Sequence, residues 1–471
     1  MNELTSTAAD SSDKSGGQRP EDSALGLMVA WAAHDHTLLG LVGMVPDARR
    51  SWVVGRGAGQ PGDEPRLLFA PLRPGPPVAG LPLQSPAVSR RQLVVRREGA
   101  ALVVERVGKL TMTHNGRPTE RALLYPGDRL QLERQLLLVC VQRGRGEVRE
   151  RGAGPGFAPG AADASGLVGE TPRIWQLRDE LSFYARRAGH VLILGPSGSG
   201  KELCARAIHR MSPRASGPFV ARNAATLPEG LLDAELFGNE RNYPHHGMPE
   251  RPGLIGEAHR GTLFLDEIGE LPEALQAHLL RVLDAGEYHR LGSAATRRAD
   301  VRLVAATNRP LASLKHDLVA RLLLRVNTPG LDERRDDVPL LIDALLARLT
   351  TADPALRQEF YEGDTPRLDP ALVDALLTHA YATHLRELDA LLVLAMATSR
   401  HGTLELTAAV RERLASAPSP ASLPSGPPTR EQIEAALARV GTASRAWVEL
   451  GLSSRDALNR LMKKYGLRVR G

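Results

Sequence analysis

The stretch Gly195-Pro196-Ser197-Gly198-Ser199-Gly200-Lys201-Glu202 decides the fold of the central part of this chain. Its three glycines allow backbone N–H groups to turn toward a polyphosphate, and the lysine can reach the β and γ phosphates. The apolar run Val191-Leu192-Ile193-Leu194 precedes it, and a helical pattern from Leu203 to Met211 follows. The general pattern ends in Ser or Thr, whose hydroxyl binds Mg²⁺, whereas this chain has Glu202. The stretch predicts a phosphate-binding loop, with a glycine-rich turn as the alternative.

A second motif, GTLFLDEIGELP at residues 261–272, is a strand that ends in two acids. In ATP hydrolysis the first carboxylate, Asp266, would help to hold Mg²⁺ and the second, Glu267, would polarise the attacking water. The apolar run DVRLVAATN ends in Asn308, which could sense the γ phosphate. Together the motifs predict a P-loop ATPase that uses ATP and Mg²⁺. The alternation of strands and helices predicts an α/β fold with a parallel sheet.

Length and composition limit the class of protein. A chain of 471 residues should form three or four domains. It contains no apolar run near the ~18 to 20 residues of a membrane span, and its polar start is not a secretory signal. We therefore expect a soluble, cytoplasmic protein without a membrane partner. The two cysteines, Cys140 and Cys204, exclude a disulfide framework and a four-cysteine metal site.

The N-terminal third changes from a polar segment to short β-type runs. Residues 1–23 are polar and are expected to be disordered. Residues 24–145 contain runs separated by Gly and Pro, a spacing that predicts an all-β sandwich. The predicted strands are Leu27 to Trp31, Trp52 to Val54, Gln92 to Val95, Ala101 to Val104, Arg129 to Leu132 and Leu136 to Val141.

The motif order within this β region resembles a forkhead-associated (FHA) domain, a module that reads phosphothreonine peptides. The motifs are Gly55-Arg56, Ser89-Arg90-Arg91-Gln92, Asn115-Gly116 and Pro126 to Leu130. The resemblance implies that Arg56 and Ser89 hold the phosphate of a partner protein, with Arg90 as a helper. Gln92 replaces the usual His, and residues 108–112 lack the usual Asn. A sandwich used for protein contacts without phosphate specificity is the alternative.

Two Gly-, Ala- and Pro-rich segments, 146–165 and 416–428, are predicted linkers. Between them, five segments resemble in order the AAA+ domain of sigma-54-dependent enhancer-binding activators, the NtrC class. That family commonly has Glu after the loop lysine. The resemblance implies an α/β ATPase subdomain at 166–335 and a helical lid at 336–415. The segments are GPSGSGKE (195–202), ELFGNE (235–240), GTLFLDEIGELP (261–272), VRLVAATN (301–308) and LDERRDDVPLL (331–341).

The same resemblance implies a role for each polar residue of the site. Residues 195–202 would bind ATP, Asp266 would order Mg²⁺ and Glu267 would activate water. Asn223 would restrain Glu267, while Asn308 and Arg386 would be the first and second sensors. Arg321 matches an arginine finger that acts on a neighbouring subunit, which implies a homo-oligomer, a dimer at rest that forms a ring. Its companion position is Lys315, which keeps the charge but loses the planar fork. A surface or capping role is the alternative for each.

The largest departure from the family lies at Asn242-Tyr243-Pro244-His245-His246-Gly247. The family has the loop GAFTGA there, whose tip engages sigma-54, and none of the six positions agrees. The two histidines invite a metal interpretation, which we do not favour because neighbours in sequence rarely share one ion. Either the protein contacts a different target, or it keeps the ATPase without remodelling sigma-54 RNA polymerase.

The C-terminal tail, residues 429–471, is basic, with nine Lys or Arg against four Asp or Glu from Ser425 onward, a net charge of +5. Its pattern is similar to the Fis-type helix-turn-helix of the same activators, whose second helix enters the major groove of DNA at upstream enhancer-like sites. Trp447 replaces the usual Ala, and a helical hairpin used for dimerisation is the alternative. The residues expected to face DNA are Ser453, Ser454, Arg455, Asn459, Arg460 and Lys463.

Two hypotheses follow from the sequence. The first is a DNA-bound AAA+ ATPase that regulates transcription, in which phosphopeptide recognition by the β region alters assembly of the ring. The second is a regulator that senses nucleotide and phosphoprotein and binds DNA without remodelling polymerase.

Overall fold

The computed structural model describes residues 23–46, 50–59, 63–144, 156–226, 231–351 and 353–416, together with Arg430, Ile433, Met462 and Tyr465. The chain divides into two compact units, Met1–Val410 and Arg411–Gly471. Apart from Arg430, Ile433, Met462 and Tyr465, the predicted helix-turn-helix lies outside the described residues, and so do its six DNA-facing residues. Of the segment predicted to be disordered, only Ser23 is described, and it is the first residue of a strand. Within these ranges no helix has the length and apolar character needed to cross a membrane.

Residues 23–144, called the β-domain below, form two antiparallel sheets. The orders are β2-β1-β10-β9-β6-β7 and β3-β4-β5-β8. Inward-facing side chains alternate with exposed ones, as Ala122 and Leu124 show in β8, and both sheets contribute to one buried cluster around Phe69. The strands are β1 Ser23–Ala32, β2 Val42–Val45, β3 Ser51–Val54, β4 Leu93–Glu98, β5 Ala101–Arg106, β6 Met112–His114, β7 Arg117–Pro118, β8 Arg121–Leu124, β9 Arg129–Leu132 and β10 Leu136–Gly144.

Residues 167–331, called the α/β region, form a five-stranded sheet and the helices that pack against it. All four neighbouring pairs are parallel, in the order β12-β13-β16-β11-β17. The buried strands are nearly continuous apolar runs, as expected when helices cover both faces. The elements are α1 Pro172–Ala185, β11 Val191–Leu194, α2 Lys201–Arg210, β12 Phe219–Asn223, α3 Leu232–Phe237, α4 Gly253–Glu257, β13 Thr262–Asp266, α5 Glu273–Ala285, β14 Glu287–His289, β15 Thr296–Arg298, β16 Arg302–Thr307, α6 His316–Arg321 and β17 Leu324–Asn327.

Residues 338–410, called the helical region, follow the sheet. Two of its helices begin with Asp-Pro, in which Asp353 and Asp369 cap the helix by accepting the N–H of the second helical residue. The helices are α7 Val338–Thr351, α8 Pro354–Phe360, α9 Pro370–Thr378, α10 His384–Thr398 and α11 Ala408–Ser416, with the short hairpin β18 Tyr361–Glu362 and β19 Thr365–Pro366.

The described part of the predicted linker, residues 156–165, packs against α1. Phe157 stacks on Trp175 of α1 with ring centroids 5.9 Å apart, and Arg178 lies 5.0 Å from the Phe157 centroid. Asp163 accepts from Arg178 and from two backbone N–H groups. One aromatic and one acidic side chain therefore attach this part of the predicted linker to α1.

Candidate nucleotide-binding site

The predicted phosphate-binding loop joins β11 to the N-terminus of α2, where free backbone N–H groups and the helix dipole favour an anion. Gly198 and Gly200 have φ values of 77° and 97°, in the left-handed region. A Cβ atom on Gly198 would lie 2.2 Å from the carbonyl oxygen of Thr383, so only glycine fits there. Glu202 is exposed and forms an ion pair with Arg206 at 2.7 Å, one turn along α2. Its side chain is therefore engaged on the helix surface.

The predicted phosphate-binding Lys201 and the predicted catalytic acids Asp266 and Glu267 lie together at the carboxyl edge of the sheet. Lys201 Nζ lies 3.4 Å from Glu267 Oε1 and 3.2 Å from the carbonyl oxygen of Gly195. Glu267 Oε2 accepts the backbone N–H of Asn308 at 3.2 Å. Burial raises the pKa of Asp266, Lys201 opposes that rise, and the Glu267 carboxylate adds to it. A cation bound between the acids would remove the repulsion between them.

The edge fits a nucleotide phosphate and its magnesium ion. The hydroxyl of Ser199 is buried and has no hydrogen-bond partner among the described residues. The Lys201 ammonium makes only long contacts of 3.2 to 3.4 Å, which a phosphate oxygen would replace with a stronger charge-assisted bond. Asp266 is a half-buried carboxylate, a ligand type that Mg²⁺ prefers.

Asn223 ends β12 directly beside Asp266 in the sheet register. Its side-chain oxygen accepts the N–H of Ala225 at 2.9 Å. The Glu267 carboxylate is held instead by Lys201 and the backbone of Asn308. The structure therefore brings Asn223 to the site edge, while the contact through which it would restrain Glu267 stays a prediction.

Lys315 and Arg321 lie at the two ends of α6, where they contact α5 rather than the phosphate-binding loop. The Arg321 guanidinium makes two hydrogen bonds to Asp284, at 3.0 and 3.1 Å, and this exposed pair lowers the pKa of Asp284. Lys315 Nζ lies 3.8 Å from Glu273. Both cations thus lie on the outer surface of the α/β region, where a neighbouring subunit could meet them.

Arg386 reaches the phosphate-binding loop from α10. Its Nη1 lies 3.3 Å from Ser197 Oγ, and the next contact is a backbone bond of 3.1 Å from Leu385 N–H to the carbonyl oxygen of Gly198. The helical region therefore lies directly on the loop. The predicted second sensor is brought to the site.

Two buried polar residues that join distant segments of the ATPase were not predicted from the sequence. Asp337 is fully buried and accepts the backbone N–H groups of Glu170 and Thr171 at 2.7 and 3.0 Å, and burial raises its pKa. His384 has a φ of 47°, and its Nδ1 accepts the N–H of Leu331 at 3.1 Å. Two adjacent acids before a helix, Asp336-Asp337, were a weak signal, whereas no pattern marks His384.

The segment 242–247 is a compact turn. Asn242 has a φ of 68°, and its side-chain oxygen accepts the N–H of Gly247 at 2.9 Å. Buried Asn239 donates to the carbonyl oxygens of Tyr243 and Pro249 at 3.3 and 2.9 Å, which fastens both ends of the turn. Within the described ranges no group of three or more His, Cys, Asp or Glu side chains could hold a metal ion.

The predicted phosphopeptide residues lie together on the β-domain. The N–H of Arg56 donates to the carbonyl oxygen of Ser89 at 3.1 Å, and Ser89 Oγ accepts the N–H of Lys109 at 3.1 Å. Arg90 follows Ser89 at the exposed surface. Gln92 is fully buried and binds both backbone groups of Leu110, so it connects the two loops. The segment that lacks the expected Asn is thus adjacent to Ser89.

Comparison with known proteins assigns the central region. Residues 167–331 match the family model described as Sigma-54 interaction domain. The Nif-specific regulatory protein of Azotobacter vinelandii is 41% identical over 245 residues, which are 50% of this chain and 45% of that protein. The regulatory protein AtoC of Escherichia coli strain K12 is 33% identical over 321 residues, covering 64% of this chain and 68% of that protein. The chain belongs to the Sigma-54 interaction domain family.

Membership of the Sigma-54 interaction domain family makes the central region a P-loop ATPase domain of the AAA+ class. The chain spans about half the length of several curated family members it matches. A crystal structure of NtrX from Brucella abortus in complex with ADP has 30% sequence identity and covers 65% of this chain and 70% of that one. Its TM-score of 0.45 is too low to indicate a common overall arrangement.

Proposed function

We propose that the chain is a DNA-bound, oligomeric AAA+ ATPase of the bacterial cytoplasm that couples ATP hydrolysis to sigma-54-type control of transcription. One observation carries the proposal. Lys201, Asp266 and Glu267 meet at the carboxyl edge of the sheet, within the residues that match the Sigma-54 interaction domain. The matched relatives are named as regulatory proteins, which supports a regulatory role.

The residues of the site have separate tasks in this proposal. Backbone N–H groups of the loop and Lys201 bind the phosphates, Asp266 orients the metal, and Glu267 orients and polarises the attacking water. Bound ATP and Mg²⁺ supply the phosphoryl group and neutralise its developing charge. Arg386 registers the phosphates from α10, and Asn308 positions Glu267 through its backbone N–H. Arg321 completes the site of the neighbouring subunit, with Lys315 as a weaker companion.

Replacement of Glu267 tests the ATPase. Full-length protein is expected to hydrolyse ATP with a specific activity that rises with protein concentration, because the finger comes from another subunit. The Glu267→Gln variant should lower turnover about 100-fold or more, because the group that polarises water is lost, and should still bind nucleotide. Glu270→Gln is the matched control, since Glu270 pairs with Arg309 on the surface. Equal turnover in the wild type and the Glu267 variant would contradict the assignment.

The sensory and DNA-binding parts extend the proposal. Arg56, Ser89 and Arg90 would bind a phosphothreonine protein in an FHA-like domain, a role supported by the contact between their loops. The basic tail would bind enhancer-like DNA. The boundaries that accompany this proposal are 24–145 for the FHA-like domain, 166–335 and 336–415 for the ATPase subdomains, and 429–471 for the tail, with 146–165 and 416–428 between them.

The compact turn at 242–247 favours a second candidate function, a regulator that does not remodel sigma-54 polymerase. Asn239 and Asn242 hold this turn closed, and it lacks the Phe and Thr that the family uses on the sigma factor. The two candidates differ in open-complex formation by sigma-54 polymerase on a promoter that carries the protein's site. ATP-dependent opening, absent with a non-hydrolysable analogue, supports the first. ATP hydrolysis without opening supports the second.

A further inference from the structure

Four arginines of the β-domain, called the interdomain arginines, pair with carboxylates of the ATPase. In each pair the cation comes from the β-domain. Arg73 and Arg143 contact Glu170 and Asp336, which flank the phosphate-binding part of the α/β region in sequence. Arg129 and Arg134 contact Asp374 and Asp369, which lie on or next to α9 of the helical region. The β-domain is therefore attached to both parts of the ATPase.

The attachment to the α/β region is buried. The side chains of Arg73 and Glu170 are 7% and 8% exposed, and Arg73 Nη1 also donates to the carbonyl oxygen of Phe157 at 2.7 Å. Glu170 directly precedes Thr171, whose N–H and hydroxyl both bind Asp337. A buried ion pair that is hydrogen-bonded on both sides is costly to break, because either partner alone would be left charged and unpaired.

The attachment to the helical region is more exposed. Arg129 Nε lies 2.5 Å from Asp374 Oδ1, with side chains 21% and 31% exposed, and Arg134 Nη2 lies 3.1 Å from Asp369. Leu340 of α7 also packs against the β-domain, since a Cβ atom on Gly40 would lie 2.9 Å from Leu340 Cδ2. This side combines a close apolar contact with ion pairs that water can reach.

The helical region in turn lies on the phosphate-binding loop, through Leu385 and Arg386. A rotation of α9 and α10 away from the loop would pull Asp374 from Arg129 while Arg73 keeps the β-domain on the α/β region. Opening the nucleotide site therefore requires the exposed pairs to break.

From this arrangement we infer that the β-domain restrains the helical region against the phosphate-binding loop and slows nucleotide release. The inference rests on the proposed nucleotide site and adds a regulatory contact to it. The ion pairs of Asp369 and Asp374 are expected to break before the pair of Arg73 and Glu170, because partly exposed ion pairs are weaker than a buried one. A partner that takes hold of the β-domain would thereby change the rate of nucleotide exchange.

Charge reversal at one exposed pair tests the restraint in the full-length chain. Arg129→Asp and Asp374→Arg should each accelerate release of a fluorescent ADP analogue about three- to fivefold, since one exposed pair contributes up to about a fivefold factor. The double variant recreates the pair with opposite polarity and should restore the wild-type rate. Hydrogen exchange in α9 should rise in each single variant and return to normal in the double variant.

A reversed pair within the helical region is the matched control. Arg348 and Asp389 join α7 to α10 at 2.6 Å without touching the β-domain, so Arg348→Asp should leave the release rate unchanged. Wild-type release from both single variants, or failure of the double variant to restore the rate, would overturn the inference. If the protein binds no nucleotide, the proposed function fails. The exchange of α9 then decides the inference alone, and equal exchange in all variants overturns it.

Discussion

Asp266 is buried enough to resist ionisation in the protein without its ligands. Burial raises its pKa, and the neighbouring Glu267 carboxylate acts in the same direction. A carboxyl whose pKa is raised by folding costs stability once it ionises, so its effect grows as pH rises through that pKa. The residue best placed to bind the metal is thus held in an environment that disfavours its charge.

Asp266→Asn is therefore expected to raise the melting temperature in buffer free of nucleotide and magnesium. The increase should be larger at neutral pH than in acid, because only the ionised carboxyl of the wild type carries the cost of burial. Thermal unfolding across this range is the measurement. Asp300→Asn is the control of opposite sign, because the hydrogen bond from Arg214 lowers the pKa of Asp300. Asp300→Asn should melt at a lower temperature than the wild type at neutral pH and at the same temperature in acid. A pH-independent Asp266→Asn difference would contradict the account.

At the residue scale, local motifs predicted the candidate nucleotide-binding site because its chemically important side chains occur in short runs of consecutive residues. The loop lysine and the acid pair follow strands of one sheet, and parallel strands bring their carboxyl ends together. Asp337 and His384 could not be found in this way, since their partners Thr171 and Leu331 are far away in sequence. The same limit applies to Asn223, whose register beside Asp266 is observed while its regulatory role stays a prediction.

At the scale of elements, the helical region approaches the phosphate-binding loop most closely at Gly198, next to the carbonyl oxygen of Thr383. Gly198→Ala would force a left-handed conformation on alanine and place Cβ 2.2 Å from the carbonyl oxygen of Thr383. We expect nucleotide affinity to fall about tenfold or more, a loss of about 1.4 kcal/mol. Equilibrium titration with ADP measures it. Gly247→Ala is the control, because Gly247 has a φ of 90° with nothing within 4 Å, and should retain affinity. Equal affinities in the two variants would contradict the proposed contact.

Strands of the N-terminal region with a clear apolar pattern were predicted from the sequence, whereas several short strands were not. All six predicted β runs of the N-terminal region coincide with strands, apart from Gln92, which directly precedes β4, because alternating or continuous apolar residues mark them. The strands β6 and β7 were missed because two or three residues carry little periodic signal, and β2 and β8 were missed although β3 and β9, of the same length, were predicted. The attachment of the predicted linker to α1 was not predicted. It depends on Phe157, and a single aromatic residue among glycines and prolines hardly changes the composition of the segment.

At the scale of the whole molecule, hydrolysis is expected to require two subunits at each site. Glu267→Gln lacks the water-polarising group, and Arg321→Ala lacks the finger. In an equal mixture, a site on an Arg321→Ala subunit beside a Glu267→Gln neighbour is complete. Random assembly should therefore restore about a quarter of wild-type ATPase activity. A mixture of Glu267→Gln with Lys201→Ala should recover none, because both residues belong to one subunit's site. No recovery in the first mixture would show that Arg321 does not act in trans.

The close approach of Leu340 to Gly40 limits how freely such regulators can exchange their N-terminal domains. A transplanted domain with a larger residue at that point would force the Leu340 side chain to shift, and one without Arg73 would leave the buried Glu170 carboxylate without its ion-pair partner. Productive recombination would have to move the β-domain together with α7, α9 and the Glu170 segment. In this chain the unit of inheritance is therefore expected to extend from the sensory domain into the ATPase itself.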